Sequence, residues 1–381
     1  MGGCLAGIGL DLARETSVRD SSSAISSGIQ DALRRADVLV ISGGLGPTSD
    51  DLTRDVLAEI TGSAIVTNSD ALENIRVRCE RASREITASR ARQALVLEAA
   101  EILPNSVGMA PGEWIEREGK ILIALPGPPR EFHAVLTEQV LPRLKKRYPD
   151  AAICESAFQL CGIAESDFVD ALQVAGFAPV RMEFACCASP AHLDIRLRGP
   201  LDATAEIASA SELVRRVAGR HLVTDSTRSI ESVVVEQLGL LGKTVAVAES
   251  CTGGLIGGRI TSVSGSSNVF IGGVIAYSNE VKSRHLGVRE NTLARFGAVS
   301  EETVREMAAG IRKRFGSDIG LAVTGIAGPG GGTPGKPVGL VWIAADTEIR
   351  AASESFRMTG ERDVLREAAV QMALDLLRRS L

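Results

Sequence analysis

Ser267 and Lys282 are residues of types that can do acyl-transfer chemistry together. A serine hydroxyl is a poor nucleophile until a base removes its proton. A neutral lysine can be that base when burial lowers its pKa from about 10 towards neutrality. Both lie in a stretch that concentrates glycine turns and hydroxyls beside strand-like apolar runs. It holds AESCTGG (Ala248–Gly254), GSS (Gly265–Ser267), YSNEVK (Tyr277–Lys282) and TGIAGPGGG (Thr324–Gly332). The bland reading of a lone lysine is a solvated surface charge. So many flexible and polar residues at strand ends weigh against it.

The neighbours offer supporting roles. Ser250, Thr252, Gly253 and Gly254 fall between a strand and a helix, where backbone N–H groups and the helix dipole attract a phosphate or an oxyanion. The plain alternative is a turn with a serine or threonine N-cap. Cys251 reads as a small half-buried thiol, since no histidine is near it in sequence. Tyr277 is either a strand-end packing group or a proton relay beside Lys282. Thr324 and Gly325 follow a buried strand, so the hydroxyl and the following N–H groups could face a ligand. Arg362 sits in the first turn of the last helix, where the dipole disfavours a cation unless it reaches a substrate phosphate.

A second candidate lies in Ser42–Asp51. Gly43, Gly44 and Gly46 permit close backbone approach to a phosphate, Thr48 adds a hydroxyl, and Asp50 and Asp51 could hold a divalent metal through oxygen. Its alternative is an N-cap with acidic first-turn residues. Pro126–Glu131 repeats the strand–turn–helix arrangement. The four histidines are scattered and none is assigned as a ligand. Gly242–Thr244 reads GKT but is no phosphate loop: Gln237 stands where its first glycine belongs, and a strand follows rather than precedes. No G-x-S-x-G elbow occurs, and no G-x-G-x-x-G follows a strand.

These residues need elements to position them. Helices are predicted at Ser23–Arg35, Leu52–Ile60 and Arg130–Leu144, and strands at Val38–Ile41 and Ile121–Leu125. That rhythm predicts a mainly parallel, helix-covered sheet in residues 1–148. Residues 151–225 read as a small α+β unit, with strands near Cys154–Cys161 and His192–Arg198 and helices at Glu165–Val174 and Ala203–Val217. Residues 230–381 begin with a helix at Ile230–Leu241. Strands follow at Thr244–Ala248, Val269–Ala276, Gly320–Val323 and Gly339–Ala344, with helices at Glu301–Phe315, capped by Ser300, and Arg362–Arg379. The fold class is multi-domain α/β.

Composition bounds the function. The chain has 381 residues, enough for two or three domains, and a net charge of -5 that argues against a general nucleic-acid surface. Seven cysteines form no CxxC pair and suit a reduced, cytoplasmic chain. No apolar run approaches the roughly 20 residues that span a bilayer, and the start has no signal-peptide pattern, so no membrane partner is expected.

Taken together, the motifs resemble those of the CinA family, the competence/damage-inducible protein A group. The family pattern A-E-S-C-T-G-G, G-S-S, Y-S-N-x-x-K, G-A-V-S, T-G-I-A-G-P-x-G-G and K-P-V-G recurs here at Ala248–Gly254, Gly265–Ser267, Tyr277–Lys282, Gly297–Ser300, Thr324–Gly332 and Lys336–Gly339. The resemblance implies a nicotinamide mononucleotide amidohydrolase that makes nicotinate mononucleotide and ammonia for NAD recycling. Its serine–lysine pair falls on Ser267 and Lys282, and its tyrosine, serine, threonine and arginine on Tyr277, Ser250, Thr324 and Arg362. No cofactor is implied for that step. The first segment is similar to the family's molybdopterin-binding-like domain through Gly43–Asp51, Asn105–Gly112 and Pro126–Glu131. In some members that domain is a metal-dependent ADP-ribose pyrophosphatase. This chain departs from the pattern, since the family's opening strand and G-T-E-L turn are missing before Leu5. The middle domain is expected to be KH-like in outline, although it has no G-x-x-G loop. The expected partner is a small nucleotide, and the expected assembly a homodimer. The rival from another class is a non-catalytic, competence-associated nucleotide-binding protein.

Overall fold

The computed structural model describes residues 1–48 and 50–381, apart from the side chain of residue 150. Two compact units are present, Met1–Ile153 and Cys154–Leu381. In the first, β1 (Val38–Ser42), β4 (Glu101–Leu103), β5 (Gly112–Arg117) and β6 (Lys120–Leu125) form a sheet in the order β1-β6-β5-β4. A separate ribbon pairs β2 (Ile65–Thr67) with β3 (Leu95–Leu97).

The prediction of a mainly parallel sheet fails in this unit. Only β1 and β6 are parallel, and β4, β5 and β6 run antiparallel. The reason is local. Glu118 and Gly119 both take positive φ and close a two-residue hairpin, too short for a parallel crossover. The chain opens with a helix, Gly2–Ala6, and β1 lies at an edge of the sheet. Alternation along the strands divides two cores: Ile121, Ile123 and Leu125 face one side, Leu122 and Ala124 the other. The helix predicted at Arg130–Leu144 starts with Pro129 in its first turn and runs to Arg147, broken by a π-helical turn at Leu136–Val140.

The second unit holds two sheets. The first contains β7 (Ile153–Cys161), β8 (Glu183–Ser189), β9 (His192–Pro200) and β10 (Leu222–Thr224) in the order β10-β7-β9-β8. The second contains β11 (Val245–Glu249), β12 (Phe270–Ile275), β13 (Ile319–Gly325), β14 (Leu340–Thr347) and β15 (Ala351–Arg357) in the order β12-β11-β13-β14-β15. β11, β12 and β13 are parallel, while β14 and β15 add antiparallel pairings.

Val245 and Val247 face a core closed by the helices Ile230–Leu241 and Arg362–Ser380. Ala246 and Ala248 face the helix Glu301–Phe315, whose buried Val304, Met307, Ala308 and Ile311 follow helical spacing. The three parallel strands therefore deliver their carboxyl ends to one edge of a covered sheet, the usual place for a site in such folds. Among the described residues no helix is long and apolar enough to cross a membrane.

Candidate active site

Lys282 lies on the short helix Asn279–Leu286, which starts where β12 ends and is capped by Ser278. It is 1 % exposed, so its ammonium is held in protein rather than water. Burial pushes its pKa down to about 8, a shift that the nearby Cys251 opposes. Its Nζ donates to the carbonyl of Ala276 at 2.6 Å and to Ser250 Oγ at 3.1 Å. Ser250 follows β11, is 8 % exposed, and donates its own N–H to Val323 O at 3.1 Å. The parallel register explains the meeting. Glu249 pairs with Ile275, so the residues just beyond, Ser250 and Ala276, emerge side by side.

Ser267 is not brought to Lys282 within this chain. It sits exposed on the single turn Ser266–Asn268 before β12, whereas Lys282 lies after it. A strand of that length spans roughly 15–20 Å. Within this chain the serine that Lys282 meets is Ser250.

The turn after Ser250 also differs from expectation. The N–H groups of Gly254, Ile256 and Gly257 all donate to the buried Glu249 carboxylate, at 2.9, 3.1 and 2.9 Å. That helix start is thus satisfied internally and is not open to a substrate phosphate. Gly253 (φ +61°) closes the turn by donating its N–H to Ser250 O at 3.2 Å. Thr252 is fully buried and its hydroxyl has no hydrogen-bond partner. Burial pushes the Cys251 thiol up to about 12, which removes it as a nucleophile near neutral pH.

The buried hydroxyl of Thr324 donates to Ala298 O at 2.8 Å and ties the Gly297–Ser300 turn to β13. Gly325 has a packing reason, since a Cβ there would come within 3.1 Å of Cys251 Sγ and 2.8 Å of Val341. Tyr277 is 63 % exposed. Its hydroxyl accepts from Arg362 Nη2 at 3.0 Å, and Arg362 Nη1 donates to Gly328 O at 2.6 Å. Tyr277 and Arg362 thus link the end of β12 to the glycine-rich loop.

Sequence reasoning missed three contributors: Glu249 as the internal cap, the Ala276 carbonyl, and Arg366, which donates to the carbonyls of Cys251 and Thr252. A weak signal for Arg366 was present, because it stands four residues after Arg362 on the same helical face.

In the first unit, the glycines of Ser42–Asp51 serve the loop itself. A Cβ on Gly44 would fall 2.2 Å from Thr53 Oγ1, and one on Gly46 would fall 2.5 Å from the Asp51 carboxylate; Gly43 takes φ +95° with open space around it. Asp51 accepts from Thr48 N at 2.8 Å and from Thr48 Oγ1 at 2.6 Å. Partial burial raises its pKa, but these bonds outweigh that and leave it below the ordinary carboxylate value. The Asp51 carboxylate is thus engaged within the loop. No His, Cys, Asp or Glu completes a cluster of three with it and Asp50 among the described residues.

A family model described as the CinA C-terminal domain matches residues 227–381, and one described as a probable molybdopterin binding domain matches residues 1–146. A CinA-like protein of Gemmatimonas aurantiaca is 39% identical over 383 residues, covering 98% of this chain and 90% of the relative. A CinA-like protein of Thermotoga maritima is 40% identical over 384 residues, covering 99% and 91%. A solved structure of a competence/damage inducible protein from Agrobacterium tumefaciens is 39% identical over 40% of this chain and 97% of that one, with a TM-score of 0.38.

Proposed function

This chain belongs to the CinA family, and from that premise we propose that its second unit is an amidohydrolase in which Ser250 is the nucleophile and Lys282 the base. The observation that carries the reading is the hydrogen bond between a fully buried lysine and a nearly buried serine. The substrate, nicotinamide mononucleotide, comes from the family resemblance of the motifs.

The chemistry balances with these two groups. Neutral Lys282 takes the Ser250 proton as Oγ bonds to the carboxamide carbon, and the C=O electron pair moves onto oxygen. The oxyanion is met by backbone N–H groups of the turn after Ser250. Collapse breaks the C–N bond, and Lys282 returns its proton so that ammonia leaves. Water then attacks the acyl-serine, gives its proton to Lys282, and nicotinate mononucleotide departs as Ser250 is reprotonated. ADP-ribose cleavage by the first unit has no comparable support, since Asp51 is engaged within its own loop.

Ammonia release from nicotinamide mononucleotide by three single variants tests the assignment. Ser250→Ala and Lys282→Ala are expected to lose on the order of 10⁴-fold in kcat or more, while Ser267→Ala stays within an order of magnitude of wild type. An inactive Ser267→Ala beside an active Ser250→Ala would reverse the roles. A full set of active variants would remove the reading altogether.

A further inference from the structure

The strand β12 forms one edge of the five-stranded sheet, and among the described residues no strand pairs with its outer side. An open edge is a template for another strand, and sheets that must stay single blunt it with charge or proline. The opposite edge, β15, follows that rule, since it carries Glu354 and Arg357. β12 does not. From Thr261 to Asn279 the chain has no charged residue and no proline. Ile271 and Ile275 on this strand are 48% and 56% exposed, and the exposed Tyr277 follows just beyond it.

This edge is complementary to itself. Ile271 and Ile275 stand equally far from Gly273. When two copies pair antiparallel about a two-fold axis at Gly273, Ile271 of each faces Ile275 of the other. The same operation acts on the chemistry at the two ends. Ser267 lies exposed before the strand and Lys282 lies after it, roughly 15–20 Å apart along one chain. Antiparallel pairing turns that separation into a meeting, because the Ser266–Asn268 turn of each copy arrives at the Tyr277–Lys282 end of the other. Neighbouring strands lie about 4.8 Å apart, within reach of side chains. A foreign strand could fill the edge, but the spacing of the two isoleucines about Gly273 is that of a partner identical to itself.

We infer that two copies of this chain pair through β12, and that each supplies Ser267 to the Lys282 site of the other. This rests on the amidohydrolase reading of that site and holds whichever serine carries the acyl group. Ser250 meets the lysine from within the chain and Ser267 from across the axis, so each site is incomplete in a single copy.

The test uses the full chain, with light scattering for assembly, far-ultraviolet circular dichroism for folding and nicotinamide mononucleotide as substrate. The wild-type chain is expected to be a dimer. Ile271→Lys with Ile275→Lys should give a folded monomer whose kcat falls about tenfold or more. Ile271→Cys with Ile275→Cys should form a disulfide-linked dimer on oxidation, since directly opposed residues lie within disulfide reach. Ser267→Cys with Asn279→Cys should be linked between chains by a short bis-methanethiosulfonate, whereas wild type, with its seven native cysteines, should not. A monomeric wild type overturns the inference, and so does a dimer that survives both lysines and forms neither link. A folded monomer with wild-type kcat removes Ser267 of the second copy from the site. If wild type releases no ammonia but both links form, the amidohydrolase reading fails and the pairing stands.

Discussion

Lys282 is a lysine removed from water, and its titration has two consequences under the proposed mechanism. Lys282 must be neutral to accept the Ser250 proton, and burial brings its pKa down to about 8. The kcat of amide hydrolysis is therefore expected to rise with pH along an acidic limb near 8 and then level off. A limb near 10, or activity independent of pH between 6 and 9, would contradict the base assignment. The same shift links to stability. The folded value lies below the unfolded 10.5, so between about 8 and 10.5 the unfolded chain binds more protons and folding is favoured as pH rises. Below about 8 that contribution is lost. The stability difference between wild type and Lys282→Met should move towards wild type by about 3 kcal/mol from pH 7 to pH 10.5. Urea titrations at the two pH values would detect this, and an unchanged difference would show that the ammonium is not desolvated.

At the scale of elements, the site is a product of strand register. β11 and β12 end together, and Glu249, the last residue of β11, turns its carboxylate onto three N–H groups of the helix that follows. Glu249→Ala would leave those donors without an acceptor. It is expected to destabilise the unit by about 2 kcal/mol or more, read by urea denaturation; a loss under about 0.5 kcal/mol would mean that water replaces the carboxylate freely. Elements with local signals were legible in the sequence. Ser300 accepts from Thr303 N and starts the helix Glu301–Phe315 as its side chain and acidic first turn imply, and Ile230–Leu241 ends at the left-handed Gly242. β5, β8 and β15 were not legible, because their pairing is set by neighbours distant in sequence and their patterns are mixed rather than cleanly alternating. The site followed the same division. Lys282 was visible as a chemical type beside a turn. The serine it meets within this chain was not, because Ser250 and Ser267 both stand in glycine-flanked motifs, and the parallel register of β11 with β12 is what brings Ser250 beside it.

At the scale of the whole molecule, the four-stranded and the five-stranded sheets of the second unit share a core. Cys161 and Val223 of the former pack in the same cluster as Val234, Leu374 and Leu377 of the latter. The buried Gln371 of the closing helix bridges them, meeting His192 Nδ1 at 3.2 Å and accepting from Arg259 at 3.2 Å. The helix that carries Arg362 and Arg366 to the site is thus anchored farther along by the middle sheet. His192→Ala should cost about 1–2 kcal/mol and shift unfolding and loss of activity together. Two separate transitions within residues 154–381 would contradict that coupling.

The proposed mechanism passes the acyl group through Ser250. Its most direct test is to quench the enzyme with acid during turnover of nicotinamide mononucleotide and locate the acyl adduct by peptide mass spectrometry. The added mass is expected on the peptide carrying Ser250, and on that side chain. An adduct on Ser267 or on Cys251 would contradict it.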